Sequence, residues 1–356
     1  MRIFDYSFLK SRDIPAETSA LLLSVVKMTA ERNALIEKHP DIFNELSKIA
    51  IIQSVISSNE IEGIVTTDKR INDLLAGNVS PMNHNEREII GYKDVLDFIH
   101  HRYPDLGVSE IQILGFHAQM LAYENPPFAG KYKSQDNVIM EIAYDGTRSI
   151  RFRPTSAKET PKSMEQLILA YIDARDDSSI NRLLLIPCVI LDFLCIHPFS
   201  DGNGRMSRLL SLLLLYKNDY IIGKYVSFEN QINLYKEEYY ESLRLSSLNW
   251  AANQNEYFPF ANNFLRTLIR CYKEIETRFN ILAEKHIGKT DRIKETVLRS
   301  MTPVSRKDIE LLWPDIAPDT IKKALIQLQN EGIIKKIGSF RDAKYVRNEN
   351  TVHNLK

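Results

Sequence analysis

Apolar residues recur at helical spacing along most of the chain. Between Asp41 and about Asn59 they lie three or four positions apart, as on one face of an α-helix: Phe43, Leu46, Ile49, Ile52, Val55 and Ile56. The same pattern, read with its capping and breaking residues, predicts helices over these ranges: 15–37, 41–59, 67–75, 86–101, 109–123, 162–175, 181–196, 204–216, 231–245 and 259–284. The chain is therefore expected to be mainly α-helical.

The helical pattern is interrupted after Asn125-Pro126-Pro127, which ends one helix. Two strand-like segments follow, 137–142 and 149–153, and the Asp145-Gly146 turn signal lies between them. An Asp-Gly pair between two short strands is a strong hairpin signal. We therefore predict one small β-hairpin here, the only sheet expected in the first 290 residues.

The last part of the chain has a different pattern of elements. Three short helices are predicted at 291–301, 305–312 and 318–331, the second with Ser305 as its N-cap and Asp308 three residues on. Strand-like segments follow at 333–337 and 344–347, joined by a turn that starts at Gly338. Three helices followed by a β-wing predict a winged helix-turn-helix.

Composition and charge narrow the class of protein. The 356 residues include 46 Lys and Arg and 46 Asp and Glu, so bulk charge favours no polyanionic partner. The three cysteines have no pairing or zinc-ligand spacing and predict free thiols in a reducing compartment: Cys188, Cys195 and Cys271. The N-terminal segment lacks an apolar signal core, and no apolar run reaches the ~20 residues of a membrane helix. We expect a cytoplasmic protein with no membrane partner.

The segment His197–Arg208, HPFSDGNGRMSR, carries the candidate chemistry. Gly202 and Gly204 allow a ligand to approach the backbone, and the helix that follows presents unpaired N–H groups and a positive dipole end. Arg205 and Arg208 are three residues apart, so we expect both side chains to project to one side of the first turn. Two guanidiniums beside a helix N-terminus suit a polyphosphate.

The same segment offers groups for proton transfer and metal binding. His197 can accept a proton near neutral pH, and Asp201 offers a hard oxygen ligand to a phosphate-bound Mg²⁺. Phe199 is expected to anchor the loop in the core. Each residue alone also has a structural interpretation, since Asp-Gly-Asn-Gly is commonly a turn. Their combination within one short loop favours in-line attack on a magnesium nucleotide.

The segment resembles the Fic signature, His-x-Phe-x-Asp/Glu-Gly-Asn-Gly-Arg-x-x-Arg, at every defined position. Most Fic proteins are adenylyltransferases that move AMP from ATP to a Ser, Thr or Tyr hydroxyl of a target protein. The resemblance implies this activity, with ATP as substrate and Mg²⁺ or Mn²⁺ as cofactor. It also implies a mainly α fold: a Fic-type helical bundle with a small β-hairpin flap, followed by the winged helix-turn-helix.

The resemblance assigns a role to each matching residue. His197 would be the catalytic base that deprotonates the target hydroxyl, and Asp201 would hold the metal ion on the α- and β-phosphates. Arg205 would bind the β-phosphate and Arg208 the γ-phosphate. Three residues would line the α-phosphate site: Gly202, Asn203 and Gly204.

Two further stretches are similar to parts of the family. The hairpin at about 131–154 lies where Fic proteins carry a flap that clamps the target segment as an added strand. Gly130-Lys131-Tyr132-Lys133 resembles the Gly-x-Tyr-Arg sequence at the entry to that flap, with Lys133 in place of the arginine. Downstream, Tyr240 and its neighbour Tyr239 resemble the adenine-side helix, although two half-buried tyrosines explain that pattern equally well.

Ser58-Asn59-Glu60-Ile61-Glu62-Gly63 resembles the inhibitory motif Ser/Thr-x-x-x-Glu-Gly/Asn of self-restrained Fic proteins. A carboxylate at this helix end would pair with Arg208 and take the place of the γ-phosphate, with Ser58 as part of the inhibitory motif. The short pattern also fits an ordinary helix end with Gly63 as its C-cap. The resemblance divides the chain into an N-terminal region with the inhibitory helix (1–105), a catalytic core (106–250), a connecting helix (251–288) and the winged helix (289–356).

Several alternatives stay open at this point. The same site could run in reverse and remove AMP, with Glu62 positioning a water, or it could transfer UMP, phosphate or phosphocholine. Relatives also modify themselves and form homodimers. A different class is a DNA-binding regulator that acts through a basic C-terminal region, although Asp315 and Asp319 interrupt its charge and winged helices also bind proteins. The basic residues are Lys322, Lys323, Lys335, Lys336, Arg341 and Lys344.

Overall fold

A computed structural model describes residues 2–11, 13–64, 68–75, 77–142, 148–283, 288–300, 303–338 and 343–348. It confirms a mainly α-helical fold. The first helices are α1 (Phe8–Ser11), α2 (Ala16–Lys38), α3 (Pro40–Ile61), α4 (Asp68–Leu75), α5 (His84–Arg102) and α6 (Glu110–Met120). The central ones are α7 (Thr160–Asp176), α8 (Arg182–Ile196), α9 (Asn203–Tyr216), α10 (Phe228–Leu234), α11 (Lys236–Ser247) and α12 (Phe258–Leu282). The last three are α13 (Lys289–Arg299), α14 (Arg306–Leu312) and α15 (Pro318–Asn330).

The predicted helix at 231–245 is two helices, α10 and α11. They are separated at Tyr235, whose backbone leaves the helical region at φ −119° and ψ 38°. Neither glycine nor proline marks this break. Instead, the Tyr235 ring packs beneath the guanidinium of Arg270 on α12, with 3.4 Å between the ring centroid and the guanidinium carbon. Sequence periodicity does not contain this tertiary contact, and α1 and two short 3₁₀ helices at 221–224 and 250–252 were also not predicted.

Helix α8 lies at the centre of the molecule. Every residue from Leu183 to Ile196 is buried, as expected for a helix that is apolar on all sides. One hydrophobic cluster surrounds α8 and α9 and extends from Tyr6 to Phe279. The buried carboxylate of Asp192 on α8 accepts hydrogen bonds from Tyr6, Trp250 and Tyr257 and pairs with Arg2, which ties both ends of this region to the central helix.

The hairpin consists of β1 (Ile139–Ile142) and β2 (Arg148–Phe152), which pair antiparallel. Ile139 lies opposite Phe152, and the register is irregular between Ile139 and Met140. The predicted turn at Tyr144-Asp145-Gly146-Thr147 lies outside the described residues. Within the part of the first 290 residues that the structure describes, these two strands form the single sheet.

The C-terminal elements form a second, smaller core. Strands β3 (Val304–Ser305), β4 (Ile334–Ile337) and β5 (Lys344–Arg347) pair in the order β3-β5-β4, and β3 was not predicted. Ser305 and Asp308 form the expected capping box at the start of α14. This unit contacts α3 through a hydrogen bond, in which the side-chain amide of Gln53 donates to the Leu311 carbonyl at 2.6 Å. No helix in the described part of the chain is long and apolar enough to span a membrane.

Candidate active site

The segment between α8 and α9 makes two unusual backbone turns. Helix α8 ends where His197 adopts a left-handed conformation, φ 52° and ψ 61°. Pro198 follows and disfavours a helical conformation at the residue before it. Gly202, at φ 79°, is the N-cap of α9, where the absence of a Cβ makes this conformation accessible. The two turns place the imidazole and the first N–H groups of α9 beside one cavity.

Phe199 and Asn203 hold this loop in shape. The Phe199 side chain is fully buried, and its ring stacks on the imidazole of His117 at 3.8 Å between centroids. The Asn203 side chain accepts from the Phe199 N–H at 2.9 Å and donates to the Phe199 carbonyl at 2.8 Å. Both halves of its amide are therefore used inside the loop. The structure places the Asn203 side chain as a clasp of the loop, whereas the sequence predicted a contact with the α-phosphate.

Replacing Asn203 with alanine is expected to destabilise the protein by roughly 1–3 kcal/mol, because it leaves the buried Phe199 N–H and carbonyl without partners. Denaturant unfolding of the wild type and Asn203→Ala measures this difference in the free energy of unfolding. Asn44→Ala, at an exposed asparagine on α3, is the control for surface substitution. An unchanged free energy of unfolding together with weakened ATP binding would contradict the clasp and restore the phosphate-contact role.

A cavity of about 290 Å³ lies between the α8–α9 segment, the hairpin and α11. It brings together residues that are far apart in sequence. Its lining includes Glu62, Ile139, Arg151, Phe152, Leu194, Cys195, His197, Gly204, Arg208, Tyr239, Tyr240, Leu243 and Ser247. One end is polar and lies at the N-terminus of α9, and the other is apolar and aromatic. This division suits a ligand that joins a phosphate chain to a flat ring.

The polar end of the cavity holds Glu62. Its carboxylate accepts a hydrogen bond from Arg208 Nη2 at 2.8 Å. A Cβ built on Gly204 would lie 2.2 Å from Glu62 Oε1, so the carboxylate rests directly on the first turn of α9. The structure thus puts an anion of the chain itself where a helix N-terminus and an arginine attract one.

The end of α3 is fixed in a way that presents Glu62 to this site. The Ser58 hydroxyl accepts from Arg208 Nε, and the Ser58 carbonyl accepts from Arg208 Nη2, each at 2.9 Å. Gly63 takes φ 78° just after the helix, as a glycine that ends a helix does. Its role at the helix end is therefore compatible with the placement of Glu62 in the cavity. The Lys236 ammonium donates to the Ile61 carbonyl at 2.8 Å and secures the same helix end.

Arg205 and Arg208 have different partners in the structure. Arg205 is 1% exposed and pairs with Glu88 on α5 at 3.2 Å. Its Nη2 also lies 3.6 Å from Asp201 Oδ2, and Arg205 is absent from the cavity lining described above. Its Nε and Nη1 are buried and have no hydrogen-bond partner among the residues that the structure describes. The predicted β-phosphate contact therefore requires an arrangement other than the one seen.

Asp201 is oriented by its own loop and by a histidine that sequence reasoning missed. Its side chain is 60% exposed, and its Oδ1 accepts from the Gly202 N–H at 2.7 Å. His117 Nδ1 accepts from the Gly130 N–H, so Nε2 carries the proton and donates to the Asp201 carbonyl at 3.1 Å. Burial lowers the pKa of His117 to about 4, which keeps this ring neutral. No spacing signal links His117 to the loop, because the contact spans 84 residues.

His197 is also held as a neutral imidazole. Burial, and to a smaller extent the Lys133 ammonium, lower its pKa to about 4. The Leu194 carbonyl and the carboxylates of Glu62 and Asp201 act in the opposite direction without reversing the shift. A neutral imidazole has a free lone pair, so His197 can accept a proton at neutral pH.

The three residues predicted as the target-binding flap lie in different environments. Lys131 is exposed and donates to the Pro127 carbonyl. Tyr132 packs near Phe199, and burial raises the pKa of its hydroxyl. Lys133 is only 3% exposed and donates to the Ile196 carbonyl at the end of α8. In this arrangement Lys133 faces the interior, and its contact with a target stays a prediction.

The apolar end of the cavity is formed by α11 and the hairpin. Tyr239 is buried and Tyr240 is half-buried, and both line the cavity. Arg151 on β2 donates to the Tyr240 carbonyl at 2.7 Å and lies 5.8 Å from its ring centroid. This bond ties the hairpin to α11 across the mouth of the cavity.

Comparison with known proteins shows what the region around this site is similar to. Residues 107–215 match the model of the Fic/DOC family. A protein adenylyltransferase Fic from Nematostella vectensis is 23% identical over 236 residues, which cover 63% of this chain and 47% of that protein. A Fido domain-containing protein from Dictyostelium discoideum is 33% identical over 85 residues, 24% of this chain and 55% of that protein. The chain thus spans about half the length of these curated relatives.

Solved structures share the fold. A Fic family protein from Desulfovibrio desulfuricans superposes with a TM-score of 0.61 at 19% identity and covers 95% of this chain and 97% of that chain. A Fic domain containing signaling protein from Bacteroides thetaiotaomicron gives a TM-score of 0.60 at 21% identity, covering 74% of this chain and 100% of that chain. The helical bundle around the α8–α9 loop therefore has the same fold as these Fic proteins.

Proposed function

We propose that the protein is an adenylyltransferase that moves AMP from ATP to a Ser, Thr or Tyr hydroxyl of a target protein and is restrained by Glu62. The observation that carries the proposal is the cavity in which His197, the N-terminus of α9 and Arg208 meet, with Glu62 resting on the anion site. The similarity to a protein adenylyltransferase Fic also supports AMP transfer.

The side chains fit an in-line displacement. His197 accepts the proton of the target hydroxyl, and that oxygen forms a bond to the α-phosphorus. The bond from the α-phosphorus to the oxygen bridging to the β-phosphate breaks, and pyrophosphate leaves. The N–H groups at the start of α9 and the Arg208 guanidinium are placed to hold phosphate oxygens, which is where most of the catalysis of such a step comes from.

Label transfer tests the reaction. ATP labelled on the α-phosphate is expected to label protein in a lysate incubated with a Glu62→Gly variant, whereas γ-labelled ATP is not. Mass spectrometry then identifies the modified residue and any modification of the enzyme itself. Transfer of the γ-label would indicate phosphate transfer, and a preference for UTP would indicate UMP transfer. Either outcome would replace AMP as the transferred group.

The donor set fits a metal ion that arrives with the nucleotide. Among the described residues no group of three or more His, Cys, Asp or Glu side chains is placed to hold a metal alone. Asp201 has one exposed carboxylate with its Oδ1 occupied by Gly202, and one protein carboxylate plus substrate phosphates is a usual set for Mg²⁺. When bound, the ion offsets negative charge on the phosphates. Asp201 is the residue we expect to hold it.

Asp201→Ala is expected to abolish both transfer and its dependence on Mg²⁺ or Mn²⁺, because no other carboxylate of the loop is available. Binding of Mn²⁺ in the presence of ATP, followed by electron paramagnetic resonance, gives a readout that does not require activity. Asp176→Ala, at an exposed aspartate on α7, is the control. Full turnover in excess chelator would refute the role of the metal.

The reverse reaction is a second candidate for the same cavity. Glu62 lines the cavity with His197, and its side chain is 33% exposed, so a water beside the carboxylate can reach the bound group. Release of AMP from an AMP-modified target, measured with the wild type and with Glu62→Gln, distinguishes AMP removal from AMP transfer. Faster release of AMP by the wild type would favour removal as the physiological activity.

DNA binding by the C-terminal unit remains a proposal with one supporting feature. Lys322 and Lys323 are exposed on α15, and Lys335 and Lys336 are exposed on β4. Asp315 pairs with Arg292, so its charge is compensated within the unit. Arg341 lies outside the described residues. A salt-dependent mobility shift of duplex DNA by the full chain, lost in Lys322→Ala/Lys323→Ala, tests this partner.

A further inference from the structure

His197 is held by an element outside its own loop. The residue adopts a left-handed backbone conformation that residues other than glycine rarely take, and such conformations persist where surrounding contacts fix them. Besides the Asn203 clasp, contacts from the segment 133–137, which lies just before the hairpin, fix this backbone.

This segment contacts the backbone on both sides of His197. The Lys133 ammonium donates to the Ile196 carbonyl at 3.1 Å, and the Lys133 backbone N–H donates to the Pro198 carbonyl at 2.9 Å. The Asn137 side chain donates from its amide nitrogen to the Phe199 carbonyl at 3.4 Å, and its amide oxygen accepts from the Lys133 ammonium at 2.9 Å. Three successive contacts therefore reach the residue before His197 and the two residues after it.

The chemistry of Lys133 suits this place. The Ile196 carbonyl lies in the last turn of α8, where backbone carbonyls lack helical partners and the negative end of the helix dipole attracts a cation. The side chain is 3% exposed, and its two acceptors are the Ile196 carbonyl and the Asn137 amide oxygen, neither of them a carboxylate. Its buried charge is thus aimed at the helix end that carries the imidazole.

We propose that Lys133 and Asn137 form a clamp that positions His197 for proton transfer, with Lys133 as its principal residue. They are positioning residues, since neither lines the cavity. This inference rests on the proposed function for its activity readout, and it adds a role to a lysine that the sequence placed in target binding.

Lys133 also affects the imidazole through charge. The groups that act on His197 are the Lys133 ammonium, the carboxylate of Glu62 at the end of α3, and the carboxylate of Asp201 in the loop. Burial is the main cause that lowers the pKa of His197, and Lys133 is the next. Loss of the ammonium is therefore expected to raise the pKa of His197 toward its usual value, so the acid limb of the rate profile moves to higher pH.

The clamp is tested with Lys133→Met, Lys133→Arg and Asn137→Ala, each in a Glu62→Gly background so that transfer is measurable. Lys133→Met is expected to lower the single-turnover rate roughly 10- to 100-fold, the size of effect that a small misplacement of a catalytic group produces. The dissociation constant for ATP is expected to change less than about threefold, because the ammonium lies away from the phosphate site. Lys133→Arg should restore most of the rate, since it returns a cation to the Ile196 carbonyl.

Nuclear magnetic resonance of the His197 ring supplies a readout independent of activity. Its pKa should rise in Lys133→Met and stay low in Lys133→Arg and in Asn137→Ala, which keep the cation. Lys162→Met, at an exposed lysine on α7, is the matched control and should change neither rate nor pKa. If the parent shows no transfer, the proposed function fails while the ring titration still tests the clamp.

Three results would overturn the clamp. One is a Lys133→Met rate within threefold of the parent. Another is an unchanged His197 pKa in that variant. The third is a loss of ATP affinity as large as the loss of rate, without recovery in Lys133→Arg, which would mean that the lysine only supports the fold.

Discussion

Glu62→Gly is expected to raise the rate of AMP transfer about 100-fold over the wild type. In the structure the Glu62 carboxylate pairs with Arg208 and rests on Gly204 at the start of α9. A γ-phosphate held by Arg208 must displace it, because both anions need one guanidinium and one helix end. If the restrained arrangement is favoured by ~2.7 kcal/mol, about 1% of molecules are competent, and its removal gives that increase.

The charge argument also predicts the behaviour of combined variants. Adding Arg208→Ala to Glu62→Gly should abolish the gain, since the phosphate then loses the partner that the carboxylate had held. Glu45→Gly removes an exposed carboxylate from the same helix and should leave the rate at the wild-type level. The measurement is incorporation of label from α-phosphate-labelled ATP. Equal incorporation by wild type and Glu62→Gly would mean that residues 58–63 form only a helix end.

Removing the carboxylate is expected to have a small effect on stability. The Glu62 side chain is 33% exposed, so the pair with Arg208 is partly screened by water. Arg208 keeps two hydrogen bonds to Ser58, one from Nε to the hydroxyl and one from Nη2 to the carbonyl. If Glu62→Gly raises the activity and leaves the free energy of unfolding unchanged, Glu62 restrains the enzyme and does not support its fold.

The parts of the fold that the sequence predicted are those controlled by local pattern. The apolar run of α8, followed by Pro198, and Gly202 just before α9 specify two helices and a tight loop without reference to the rest of the chain. The capping box of Ser305 and Asp308 is equally local. The break between α10 and α11 was missed because it coincides with a contact to Arg270 and with no breaker residue.

In the candidate site, too, local features were predicted from the sequence and tertiary contacts were not. The loop residues were found because the signature is contiguous, but the ion-pair partners of Arg205 and Arg208 on α5 and α3 come from distant segments. Glu88, which pairs with Arg205, lies 117 residues away, and Lys133 lies 63 residues before the carbonyl it binds. No helical or strand periodicity encodes such contacts, since packing of α5 and the pre-hairpin segment against the loop creates them. The sequence could therefore name the reactive groups without predicting what holds them.

His197→Ala is expected to lower the rate of transfer by about 10²–10⁴-fold, the usual contribution of a general base. The imidazole is neutral at pH 7, because burial and the Lys133 ammonium lower its pKa to about 4. It can therefore accept the proton of a hydroxyl directly. The loss should appear in kcat, since the proton moves only in the transition state.

ATP affinity should be nearly unchanged in the same variant, because the phosphate-binding groups lie on α9 and the imidazole lies at the end of α8. Single-turnover rates and equilibrium binding of ATP, both in the Glu62→Gly background, separate these effects. His101→Ala, at an exposed histidine on α5, is the control for loss of an imidazole elsewhere. If binding of ATP weakened as much as the rate fell, His197 would be a nucleotide ligand, and the base would have to be sought among the groups of the target or the remaining residues of the cavity.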